Sequence, residues 1–148
     1  ITDVSPPGLL RNEAEAALEL FRDPVRGGTI LVTLPEYMPV NESIELHAAL
    51  TEELRIPVTK LVVNGLYPTL FEGEDGERCS ALGRSLPSGS ALASLAEAGR
   101  TRAVRERIQA EAMARLKAAL PLDQVALPHL FIPEFRRAAV ESLSHVFD

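Results

Sequence analysis

Two side chains stand where an open α/β sheet would meet a ligand. Asn64 closes the run Leu61-Val62-Val63-Asn64, and Glu36 follows Pro35 directly after Thr29-Ile30-Leu31-Val32-Thr33-Leu34. Both runs are short, apolar and rich in β-branched residues, the pattern of a buried strand. Ligands of open α/β sheets lie outside the C-terminal ends of such strands. A carboxamide offers both a donor and an acceptor, which matches the polar edge of an adenine ring. The plainer reading makes Asn64 a strand-end residue turning with Gly65, and Glu36 a solvated turn carboxylate. Position alone favours the plainer reading at both sites.

Little other chemistry is written in the chain. It contains no Gly-Lys-Ser or Gly-Lys-Thr of a phosphate loop, no GxGxxG and no GxSxG elbow. Cys79 is the one cysteine, so neither an internal disulfide nor a cysteine zinc cluster forms within one chain. A lone cysteine permits the reducing cytoplasm without requiring it. His47, His129 and His145 lie far apart without metal-ligand spacing, and read as structural or surface histidines. Most carboxylates fall on helix faces, where solubility explains them.

Composition narrows the class. The 148 residues are 46% hydrophobic and 24% charged, ordinary for one globular domain, so a single unit over 1–148 is expected. A net charge of −6 argues against non-specific nucleic-acid binding, which needs a basic surface. The basic run Arg100, Arg102, Arg105 and Arg107 is interleaved with Glu106 and Glu111, as on a solvated helix face. Asp3, Pro6 and Pro7 interrupt any leader-like apolar run, and no stretch has the length of a transmembrane segment. The chain opens at Ile1 rather than Met, which points to processing or to a longer parent chain.

The elements around Glu36 and Asn64 follow from periodicity. Leu10, Ala14, Ala17, Leu18 and Phe21 mark an amphipathic helix ending near Asp23-Pro24. The first strand, Thr29 to Leu34, is expected to be buried on both faces, as in parallel sheets. Pro35 to Pro39 is expected to lie outside the helix that runs from about Val40 to Leu54, with Asn41 as its cap and Glu42 in its first turn. The strand at Leu61 to Asn64 completes a βαβ unit with an expected right-handed crossover. Residues 72–90 lose all periodicity and carry Gly73, Gly76, Gly83, Pro87 and Gly89, so they read as a flexible loop. A short helix from Ala91 to Ala98 should stop at Gly99. A longer helix from about Thr101 to Leu120 carries the stripe Val104, Ile108, Ala112, Leu116 and Leu120. A third short strand at Gln124 to Leu127, an apolar loop from Pro128 to Pro133, and a last helix with Phe135, Ala139, Leu143 and Val146 complete the chain.

The ordered set of segments resembles the ArsA-type anion-transporting ATPases, which include the arsenite pump ATPase and the tail-anchored-protein targeting ATPases. The resemblance rests on Leu34-Pro35-Glu36-Tyr37-Met38-Pro39-Val40-Asn41-Glu42, then Leu61-Val62-Val63-Asn64, then Val125-Ala126-Leu127-Pro128 and Glu134-Phe135-Arg136. It extends over about Asp23 to Phe147; no single motif is specific, but their order and spacing are. It implies an α/β fold, the C-terminal part of a P-loop NTPase with about three mostly parallel strands flanked by helices. It also implies roles: Asn64 on the adenine, Glu36 at the nucleotide near a dimer interface, and a loop over the adenine face that includes Pro128, His129, Leu130, Glu134 and Phe135. The implied ligand is ATP, with Mg held by an N-terminal half, in a cytoplasmic homodimer that handles a protein or anion cargo of unknown identity.

Departures qualify that expectation. The phosphate loop, the switch aspartate and the Mg-binding residues belong to the family's N-terminal half, so these residues alone should not hydrolyse ATP. Some targeting members bind an intersubunit zinc through a CxxC pair, whereas Cys79 stands alone, and no arsenite-binding cysteines are evident. A different class remains open: a non-catalytic partner-binding or pseudo-ATPase module. Three strands of a larger sheet would also leave an unpaired edge, so association rather than a clean monomer is expected.

Overall fold

The computed structural model describes residues 8–147; Asp3, Pro6 and Pro7, together with the rest of 1–7 and Asp148, lie outside the described residues. Three strands, β1 (Thr29–Thr33), β2 (Val58–Leu66) and β3 (Gln124–Pro128), form a parallel sheet in the order β1-β2-β3. The register aligns Leu31 with Leu61 and Val32 with Val62 on one side, and Val62 with Val125 and Asn64 with Leu127 on the other. The α/β class and the parallel sheet expected from the sequence are therefore present.

One sheet face carries the core. Leu31, Leu61 and Val63 point into a cluster with Val40 of helix α2 (Tyr37–Ala48) and with Ala112 and Leu116 of helix α4 (Ala91–Ala119). Leu61, Val63, Val40 and Leu116 are fully buried. The alternation of strand side chains explains why β1 is not closed on both sides as its apolar run suggested. Leu31 and Thr33 are buried, but Ile30 and Val32 on the opposite face are 52% and 66% exposed. Both α2 and α4 lie on the first face, and the amphipathic helix α1 (Leu9–Arg22) buries none of its residues. Only the central strand is closed from both sides, with Leu61, Val62 and Val63 all buried.

Helix α2 starts earlier than its prolines suggested. Pro39 occupies the first turn, where a backbone N–H has no intrahelical partner, so the ring costs no hydrogen bond there. The N-cap is consequently Glu36, and Asn41 sits inside the helix rather than capping it. The helix continues into a π-helical turn, Ala49–Glu53, and Arg55 ends it in the left-handed region at φ 57°.

The stretch expected to be an irregular loop contains helix α3 (Asp75–Ser85), and the helix expected to stop at Gly99 runs through it as part of α4. The same cause explains both differences. The two helices lie antiparallel with small residues facing each other, so glycine here serves close approach rather than termination. A Cβ on Gly76 would come 2.6 Å from Ala103 Cβ, one on Gly83 3.3 Å from Ala96 Cβ, and one on Gly99 3.3 Å from Cys79 Sγ. Ser90 caps α4 by accepting a hydrogen bond from Ala93 N. Helix α5 (Arg137–Ser144) and a 3-10 turn, His145–Phe147, close the described chain, the turn lying against β3.

Candidate functional site

The C-terminal ends of all three parallel strands open onto one cavity of about 550 Å³. Leu34, Pro35 and Glu36 after β1, Gly65 and Tyr67 at the end of β2, and His129 after β3 line it. Tyr37 and Met38 of α2 and Arg105, Ile108 and Gln109 of α4 form the rest of its wall. Its volume falls in the range of small-molecule and cofactor sites, and its position is the one open α/β sheets use for ligands.

Helix α4 fixes the β2 side of this cavity through polar contacts that periodicity does not reveal. The Gln109 carboxamide brackets the backbone of Tyr67, accepting from its N–H at 2.8 Å and donating to its carbonyl at 3.0 Å. One turn earlier, the Glu106 carboxylate accepts from the N–H groups of Leu70 and Phe71 at 3.1 and 3.2 Å. It also pairs with Arg102 at 2.6 Å, and Arg102 donates in turn to the Pro68 carbonyl. The Arg102 and Glu106 side chains are only 14% and 9% exposed. Burial by itself would raise the Glu106 pKa, but the Arg102 guanidinium and the two amides outweigh it and hold the carboxyl below its ordinary range. Five backbone groups, the N–H groups of Tyr67, Leu70 and Phe71 and the carbonyls of Tyr67 and Pro68, thereby gain partners.

An aromatic cluster borders the opening. The Tyr67 and His129 rings stand 4.7 Å apart, with Phe131 4.7 Å from His129 and 5.7 Å from Tyr67. Arg102 Cζ lies 4.6 Å from the Tyr67 ring centroid and Arg105 Cζ 6.0 Å from it, within reach of cation–π attraction. Flat rings and guanidinium planes of this kind form stacking surfaces for a planar ligand.

Of the site residues expected from the sequence, Glu36 and His129 line this cavity together. His129 is placed by a 2.7 Å bond from its N–H to the Leu66 carbonyl, which extends the β2–β3 ladder by one residue. Asn64 faces a smaller neighbouring cavity of about 280 Å³, with Leu34 lining both. It does not turn with Gly65. Instead Gly65, at φ 78°, makes a bulge in β2, and the strand continues to Leu66. Pro128, Leu130, Glu134 and Phe135 line neither cavity. Pro128 pairs with Leu66 at the end of β3, Glu134 forms an ion pair with Arg136, and Phe135 is 66% exposed. The sequence reading missed Arg105, Gln109 and Tyr67. Local sequence carries no signal for the Gln109 contact, because its partner lies 42 residues away.

A parallel sheet flanked by helices, with a cavity at its strand ends, is consistent with part of a P-loop NTPase fold. No family model matches the chain. Over 59 residues, 40% of its length, it is 41% identical to "ATPase GET3C" of Arabidopsis thaliana, and over an equal span it is 42% identical to "ATPase GET3B" of the same plant. These matches relate the chain to the ArsA/GET3 type of ATPase. They take up 15% and 14% of the two relatives, so most of either protein has no counterpart in the matched segment.

Proposed function

We propose that this chain is the adenine-nucleotide-binding part of a GET3-type ATPase. The observation that carries the reading is the cavity onto which all three strand C-termini open, with Glu36, Tyr67, His129 and Arg105 around it. The relationship to two GET3 ATPases supplies the ligand class. The residues present suit the nucleoside end of a nucleotide: flat rings for stacking, and the Glu36 carboxylate to accept hydrogen bonds. They include no Gly-Lys-Ser or Gly-Lys-Thr phosphate loop. In the complete protein that loop and the Mg ion would come from an N-terminal half, and they would supply the electrostatic stabilisation that phosphoryl transfer needs. The residues in hand would bind and orient the base and ribose. On this reading the complete protein is a cytoplasmic homodimer whose closure on ATP is coupled to a protein or anion cargo, and these residues alone do not turn ATP over.

The test is titration of the chain with a fluorescent adenine nucleotide, with ATP turnover measured on the same sample. Saturable binding that unlabelled ADP competes away, without turnover above background, is the expected result. Glu36→Ala should weaken binding by roughly tenfold, the size of one hydrogen bond to a charged or polar group, and Asn64→Ala should do so only where the base reaches the neighbouring smaller cavity that Asn64 lines. No binding at millimolar nucleotide would overturn the reading and leave a partner-binding module in its place.

A further inference from the structure

Four arginines crowd one stretch of α4, and three of them are spoken for. Arg100 pairs with Glu97, Arg102 with Glu106, and Arg107 reaches Glu111 at 4.0 Å. Each has a carboxylate three or four residues away, the spacing at which helix side chains meet. Arg105 does not. Its neighbours at that spacing are Thr101, Arg102, Ile108 and Gln109, none of them acidic. Gln109 is already committed to the Tyr67 backbone. Among the described residues Arg105 makes no ion pair. It approaches the Tyr67 ring loosely, at 6.0 Å.

This guanidinium lines the strand-end cavity, and among the described residues Glu36 supplies the one carboxylate of its lining. The two are not ion-paired, so the cavity lining offers one free cationic and one free anionic group. A carboxylate accepts from hydroxyl groups such as a ribose diol, and a guanidinium donates to phosphate oxygens in a fork. Building on the proposed nucleotide site, we infer that Arg105 is the residue that recognises a phosphate there. The cavity therefore selects nucleoside phosphates over nucleosides even without a phosphate loop. A helix arginine two residues along, Arg107, has its own carboxylate and no place in this cavity, which makes it the matched control.

The experiment is calorimetric titration of the full chain with ADP and with adenosine, in the wild type, Arg105→Gln and Arg107→Gln. Far-UV circular dichroism confirms that each variant is folded. The wild type should bind ADP about tenfold more tightly than adenosine, the value of one charge-assisted contact. Arg105→Gln should abolish that preference while leaving adenosine affinity within about twofold, and Arg107→Gln should keep it. An Arg105→Lys variant should retain part of the preference, because the charge stays but the fork is lost. If the wild type binds both ligands and Arg105→Gln keeps the ADP preference, the role of Arg105 is overturned and the nucleotide site stands. If the wild type binds neither ligand, both readings fall together.

Discussion

The two halves of α4 hold the molecule together by different physics. The C-terminal half presents Ala112 and Leu116, with Leu120 at its end, to the aliphatic cluster under the sheet. The N-terminal half meets α3 through glycine and alanine, and meets the strand-end segment through Arg102, Glu106 and Gln109. Burial of apolar surface stabilises the first region and depends on volume. The second depends on close backbone approach and on hydrogen bonds that satisfy otherwise orphaned amides. The cavity sits at the junction, with Ile108 and Gln109 on its wall. Apolar packing against the sheet anchors one half of the helix, and polar contacts tie the other half to the segment that follows β2.

The largest effect is expected in the apolar half. Leu116 is fully buried, so Leu116→Ala should cost roughly 3–5 kcal/mol in chemical denaturation, from lost transfer energy and the remaining cavity. A cost below about 1 kcal/mol would mean that the core does not close around this side chain.

Glu106→Ala tests the clamp and should cost about 2–3 kcal/mol, because it leaves the largely buried Arg102 guanidinium without its carboxylate and removes the acceptor of the Leu70 and Phe71 N–H groups. Its pH dependence has a defined sign. The folded-state pKa lies below the ordinary 4.5, so this stabilisation is fully present above pH 4.5 and is lost as pH falls through the lowered value. Denaturation midpoints of the wild type should therefore drop more steeply below pH 4.5 than those of Glu106→Gln. Parallel profiles would remove Glu106 from the account.

Smaller effects separate the two helix contacts with α3. Gly76→Ala should cost about 1–3 kcal/mol, because its Cβ would meet Ala103 Cβ at 2.6 Å. Ala103→Gly added to it should recover part of the loss, and a strictly additive cycle would contradict the contact. At Gly99 the crowding against Cys79 Sγ is milder, and alanine is the better helix former. Gly99→Ala should therefore change stability by no more than about 0.5 kcal/mol in either direction.

What the sequence disclosed follows the same division. The strands, the βαβ order and the lower stripe of α4 were legible, because apolar periodicity records burial and burial decides those elements. The upper stripe was not: Ile108 is 41% exposed and lines the cavity instead of the core. Glycine misled twice. At Gly99 and across residues 72–90 it reads as a stop or a loop, whereas close helix packing uses the same residue for its missing Cβ. Glu36, expected from its strand-end position, and His129, expected from the family resemblance, both line the strand-end cavity. Arg105 was absorbed into a solvated basic run, and only the three-dimensional pairing of its neighbours singles it out. Nothing local in the sequence links Gln109 to Tyr67, because that contact depends on where the long helix returns across the sheet.

The most direct measurement is amide hydrogen exchange of the full chain with and without saturating ADP. The account predicts added protection at residues 34–38, 65–67 and 129, which border the strand-end cavity, and none at the α3–α4 tip around 86–90. Protection confined to the α3–α4 hairpin, or no change at any amide, would contradict the claim that the strand ends form a nucleotide site.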